Sequence, residues 1–184
     1  MSLIAGNLGV VQRLLDGSSV SWGVCAGAAA HLYGNRRPIQ DVDLLVQRGQ
    51  LSMVVGLLQN AQKAVQFDGQ RIIWRGIKVF DDLTVRAGAT SYVFNLDELM
   101  GTRLRRMPLL GAPVQVIAPE DVLLHKLVLN RGAAQGKHDL DDATAIARRQ
   151  QLDHEYLRER MARMNAVPLL LPRLIEVGVT MAEV

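Results

Sequence analysis

At 184 residues the chain has the length of one domain, or of one domain with a small helical appendage. Hydrophobic residues make up 49% of it, enough for a sizeable core, but in runs far too short to span a bilayer; aromatics make up only 4%, which argues against a base-stacking platform. A net charge of +3 permits nucleic acid as a partner without indicating it, and a single cysteine, Cys25, excludes an internal disulfide and a cysteine-rich zinc site.

Leu3 to Leu15 carries apolar residues at 3, 4, 8, 11, 14 and 15, the spacing of one helical face. Asp16-Gly17-Ser18-Ser19 ends it. The start of the chain has no basic region leading into a long apolar core, so the expectation is a soluble, cytoplasmic protein. Val20 to Cys25 reads as a short buried strand, in which Cys25 is an inert thiol. Ala26 to Leu32 is a small-residue helix able to pack closely on a sheet. Gly34 to Gln40 is a turn-rich basic loop, and Asp41 to Val46 is a second strand with two carboxylates at its entrance.

Asp41 and Asp43 are the sharpest signal in the chain. Side chains at i and i+2 on a strand point to one face. Two carboxylates so placed repel each other, and a divalent cation between them removes the repulsion. Mg²⁺ suits the position, because it takes oxygen ligands and is commonly held by one or two carboxylates together with substrate phosphates. The bland alternative is a solvated acidic turn before a strand.

Leu51 to Ala61 is a second amphipathic helix. Val65 to Arg86 reads as strands, with a hairpin turn at Phe67-Asp68-Gly69-Gln70 and a last run from Ile77 to Val85 that contains Asp81 and Asp82. Asn95 to Met107 suits a helix, capped by Asn95 or Asp97 and ended by Pro108. Gly111-Ala112-Pro113 is a turn and Val114 to Ile117 a strand. Pro119-Glu120-Asp121 starts a helix that runs through Leu129. Lys126 sits within that apolar helix, and a lysine buried without a partner is costly. It therefore either faces a cleft, pairs with an acid or extends its head to solvent. Asp139 and Asp142, three apart at the start of the next helix, share a face and could both meet it. Helices over 153–164 and 169–177 close the chain. The four histidines, His31, His125, His138 and His154, show no metal-ligand spacing.

Two ordered motifs carry a family resemblance. The first is the strand, the Cys25-Ala26-Gly27-Ala28 turn, the short helix and the basic loop leading to Asp41-Val42-Asp43. The second is Pro119-Glu120-Asp121, then His125-Lys126-Leu127, Arg131, and His138-Asp139-Leu140-Asp141-Asp142. Between about Trp22 and Ala147 the chain resembles the nucleotidyltransferase superfamily that includes DNA polymerase β. It is similar to the small single-domain members: minimal nucleotidyltransferases, abortive-infection toxin nucleotidyltransferases and aminoglycoside adenylyltransferases. Ala26 stands where those relatives have the first glycine of a doublet, and Ile39 where many have Thr or Ser.

The resemblance implies an α/β (α+β) fold: a mixed sheet built from 20–25, 42–47, 77–85 and 114–117, flanked by helices. It divides the chain into a core over 1–118 and a helical C-terminal portion over 119–184 packed on it. It implies transfer of a nucleoside monophosphate from an NTP to a hydroxyl acceptor on a protein, a tRNA or a small molecule. Asp41 and Asp43 would hold Mg²⁺, or Mn²⁺ in its place. A third carboxylate, Asp82 in preference to Asp81, would share the metal and act on the acceptor. Ala26 and Gly27 would face the phosphates, with Arg36, Arg37 and Lys126 as further phosphate contacts. The alternative is a catalytically degenerate nucleotide-binding or toxin–antitoxin-type module of the same fold.

Overall fold

The computed structural model of the protein describes residues 3–181. The chain forms two compact units. The first takes the chain up to Ala28, Pro38–Leu83 and Asn95–Ile117; the second takes Ala29–Arg37, Thr84–Phe94 and the chain from Ala118 onward. The helical portion thus draws in two segments that lie before residue 118. No described helix is long and apolar enough to cross a membrane.

The first unit is a mixed sheet with helices. Its strands are β1 (Trp22–Cys25), β2 (Val42–Val46), β3 (Gln66–Phe67), β4 (Arg71–Trp74), β5 (Ile77–Phe80), and further on β8 (Arg105–Leu109) and β9 (Ala112–Val116). Their order is β3-β4-β5-β2-β1-β9-β8. The β2 strand lies at the centre, antiparallel to β1 and parallel to β5. The runs 20–25 and 42–47 therefore lie side by side in one sheet, as expected. Helix α1 (Leu3–Asp16) packs on β5, β9 and helix α3 (Leu51–Asn60). Its buried positions, Leu8, Val11, Gln12 and Leu15, follow the helical period. Asn7 adds a side-chain hydrogen bond to the Arg75 carbonyl at 3.0 Å, fixing the helix to the β4–β5 turn.

Two expectations change. The run 77–85 breaks after Phe80, which pairs with Arg71, the first residue of β4, and is the last β5 residue paired with β2, through Leu45. Chain continuing past the break enters the second unit as the hairpin β6 (Val85–Ala87) and β7 (Thr90–Tyr92). The helix expected over 95–107 shrinks to α4 (Glu98–Gly101), where the Asp97 side chain accepts from the Met100 amide at 2.8 Å. Arg105 to Leu109 instead pairs with β9 across Leu110-Gly111, both at positive φ, the geometry of a tight hairpin. The pairing contributes a whole ladder to the sheet, which outweighs weak local helix propensity. Pro108 fits an edge strand.

The second unit is built around α5 (Pro119–Leu129), of which every residue from Pro119 to Val128 is buried. Around it lie α6 (Asp139–Arg149), α7 (His154–Arg163) and α8 (Val167–Glu176), while α2 (Ala26–Tyr33) supplies its last five residues to the unit. Burial on all sides makes an unpartnered charge on α5 costly, and its acidic side chains find donors on other elements. Glu120 accepts from the Asp153 amide at 2.8 Å. Asp121 accepts from Arg160 Nε at 2.8 Å and from the Tyr156 hydroxyl at 2.7 Å. His125 stacks on Phe94 with ring centroids 4.2 Å apart.

Burial pushes the Asp121 carboxyl up to about 6, against the opposing pull of Arg160 and Tyr156. A carboxyl whose folded pKa lies above its unfolded one contributes stability at low pH that is lost as pH rises through the folded value. We expect Arg160→Met to cost about 3–5 kcal/mol at pH 8, because it leaves the buried carboxylate without its cation. The deficit relative to wild type should shrink at pH 5, where the carboxyl takes up a proton. Urea unfolding at both pH values checks this; an equal deficit at both would contradict it.

Candidate active site

The alternation of β2 places the acidic pair. Val42, Leu44 and Val46 are fully buried on one face of the strand. The two-residue period then commits Asp41 and Asp43 to the other face. Both are half-buried. Deeper along that face Leu45 is buried, so the carboxylates occupy the outer end of an otherwise apolar surface. In register, Asp43 lies beside Cys25 on β1 and beside Lys78 on β5. The acidic pair, the end of β1 and the start of β5 thus meet at one edge of the sheet.

Lys78 is the residue that sequence reasoning missed. Its Nζ donates to Asp41 Oδ2 in a direct ion pair. The hydrogen bond to Asp41 raises the lysine pKa above its ordinary value, with the charges of Asp43 and Asp41 adding to it and partial burial opposing it. The signal was visible as a single cation inside the apolar run Ile77-Lys78-Val79-Phe80.

Asp81 and Asp82, expected to supply a third carboxylate, are not brought to this pair. They follow Lys78 by three and four residues, which at strand rise is about 10 Å or more along the chain. Their carboxylates are committed elsewhere: Asp81 Oδ2 accepts the Gly49 amide at 2.8 Å, and Asp82 pairs with Arg48. Both contacts follow from the end of β2, where the 47–49 turn presents a donor and a cation to the residues just past β5. Among the described residues, no three His, Cys, Asp or Glu side chains come together as a metal site. The donor set at Asp41 and Asp43 fits one hard divalent cation that takes its remaining oxygens from a ligand and water. A centre sharing a third carboxylate does not fit.

Ala26 directly follows β1 and opens α2 with φ 51. This is the left-handed region, where the Cβ of an L-residue is penalised and glycine is at ease. The turn retains its shape with an alanine in the glycine's place, at the cost of local strain. A Cβ built on the next residue, Gly27, would meet nothing within 4 Å. The first turn of α2 therefore presents amide N–H groups without intrahelical partners beside open space.

The other sequence candidates belong to the second unit. Arg36 is exposed. Arg37 pairs with Asp142, and its backbone amide donates to the Asn35 side chain at 2.8 Å. Lys126 is 7% exposed, with Nζ 2.8 Å from both Asp139 and Asp142. Asp139 also takes Arg131 Nε at 2.8 Å, and Asp142 takes the Asn35 amide at 2.6 Å. Burial pushes the Asp139 carboxyl up, but Arg131 and Lys126 together hold it below its ordinary value. The pairing expected from the spacing of Asp139 and Asp142 is thus formed with both acids, as a buried network that explains how α5 tolerates a lysine.

No protein-family model matches the sequence, and no curated protein matches it. Solved structures do match its fold. It is similar to an antigenic nucleotidyltransferase-like protein from Paracoccidioides brasiliensis, with TM-score 0.53 and 17% identity over 95% of this chain and 91% of that one. It is similar to the antibiotic-resistance factor ANT(2″)-Ia in solution, with TM-score 0.58 and 11% identity over 94% and 96% of the two chains. The same factor in complex with adenylyl-2″-tobramycin matches with TM-score 0.51 and 11% identity over 95% and 97%. The chain has the nucleotidyltransferase fold, an α/β mixed sheet flanked by helices.

The strained turn can be tested by relieving it. Ala26→Gly should stabilise the protein by about 1 kcal/mol, since removing the left-handed penalty exceeds the added chain entropy of glycine. That corresponds to a rise of about 2–4 °C in melting temperature. Ala26→Val should lower it, because a β-branched residue is worse at positive φ. A melting temperature that falls on Ala26→Gly would refute the strain.

Proposed function

We propose that the protein transfers a nucleoside monophosphate from an NTP to a hydroxyl acceptor at the edge formed by β1, β2 and β5. The observation that carries this reading is the placement of Asp41 and Asp43 on one strand face, beside the open first turn of α2. Asp41 and Asp43 are the residues that would hold one Mg²⁺, or Mn²⁺ in its place. When bound, that ion would neutralise charge on the triphosphate and on the group in transfer. The remaining work falls to the chain itself. Amides at Ala26, Gly27 and the residue after them would donate to phosphate oxygens, and the helix N-terminus favours negative charge there. The missing side chain at Gly27 leaves room for that approach. The structural neighbour solved with adenylyl-2″-tobramycin supports a hydroxyl-bearing acceptor. No acceptor-activating base is assigned, since Asp81 and Asp82 face the 47–49 turn.

A second reading, a nucleotide-binding module of the same fold that has lost transfer, is favoured by that same missing third carboxylate. Pyrophosphate release in a single turnover separates it from the first.

Calorimetry with ATP, GTP, CTP and UTP, with and without Mg²⁺, tests the site. Binding of at least one NTP should be about tenfold or more tighter with Mg²⁺, a gain of about 1.4 kcal/mol. Asp41→Asn/Asp43→Asn should remove that gain. A double variant that binds metal–nucleotide as well as wild type would exclude these aspartates as the site.

A further inference from the structure

On the face of β5 that continues the acidic pair stand Lys78 and Phe80, and neither is a carboxylate. Lys78 lies in register beside Asp43 and donates its ammonium to Asp41 Oδ2. Two carboxylates and one ammonium leave this cluster with a net charge of −1 rather than −2. The repulsion that would make the acid pair attract a divalent cation is therefore already half cancelled by a cation attached to the chain. The ammonium also takes an oxygen that a metal ion would need. A divalent ion bound at that oxygen would lie close to a like charge.

We infer that Lys78 is a tethered counter-cation that competes with divalent metal for Asp41 and suppresses metal loading of the nucleotide-free protein. This rests on the reading of Asp41 and Asp43 as cation ligands. It adds a residue that sets when the cation binds: loading requires Lys78 to leave Asp41, and the ammonium needs another anion to meet. A polyphosphate is an anion of the required charge. Lysine suits this role better than arginine would for bidentate anchoring, since its charge is compact and its stem has four rotatable carbons.

Exchange of Lys78 for a neutral residue of similar length isolates the effect. Mn²⁺ is titrated into the purified full chain without nucleotide, and free Mn²⁺ is read from its electron paramagnetic resonance signal. Lys78→Met should bind Mn²⁺ at least tenfold tighter than wild type, and Asp41→Asn in the same background should cancel the gain. Lys78→Arg, which keeps the charge, should behave as wild type. Circular dichroism melts confirm that each variant is folded. Unchanged Mn²⁺ affinity in folded Lys78→Met overturns the inference, as does an equal gain in Lys78→Arg. These titrations contain no nucleotide, so a failure of NTP binding would remove the proposed transfer reaction while leaving this result readable. Mn²⁺ bound equally by Lys78→Met and by its Asp41→Asn derivative would overturn the inference by placing the ion elsewhere.

Discussion

The first unit depends on the pleat of one strand. Because β2 is paired on both sides, it cannot slip without breaking two ladders at once. Because Val42, Leu44 and Val46 are fully buried, a shift by one residue would put Asp41, Asp43 and Leu45 in their places and bury two carboxylates. The core thus fixes the position of the acidic pair, and on the neighbouring strand Asp41 meets Lys78. The position of the site is a consequence of where the sheet buries its valines and leucines.

In the second unit the governing constraint is the opposite one. Helix α5 is buried along nearly its whole length yet carries Glu120, Asp121, His125 and Lys126. Each is answered by a partner from another part of that unit: the Asp153 amide, Arg160 with Tyr156, the Phe94 ring, and Asp139 with Asp142. Such pairs add little net stability over apolar residues of the same size, but breaking one leaves an uncompensated charge. They therefore specify which helices can surround α5 more than they strengthen the unit. This accounts for much of the second sequence motif in structural terms: Glu120, Asp121, Lys126, Arg131, Asp139 and Asp142 form part of an interlocking set of contacts around α5.

Much of this was legible in the chain. Periodicity located α1 and α3, helix-start chemistry located α5 and α6, and the order of apolar runs put 20–25 and 42–47 in one sheet. What escaped had a common cause. Arg105 to Leu109 carries no strong strand signal, and only its partner β9 makes it a strand. The run 77–85 offers no signal for where pairing ends, yet β5 stops opposite the first residue of β4. Asp81 and Asp82 were read by their proximity in sequence to a strand, but a donor from the 47–49 turn decides where Asp81 points, and Arg48 does so for Asp82. In each case the deciding partner lies more than a few residues away, beyond the reach of a local pattern.

Two features of the first unit lie close together. Ala26 holds a left-handed turn that glycine would hold without strain, and Lys78 holds a charge beside the acidic pair. Both lie at the edge where β1 ends and where β2 and β5 begin. Alanine does not choose positive φ by itself, so the surrounding fold imposes the β1–α2 turn, which follows Cys25 beside Asp43. Lys78 balances the charge at that edge without closing it, since Lys78 remains 34% exposed and Asp41 45%. The acidic edge is therefore open to solvent while it carries a cation of its own.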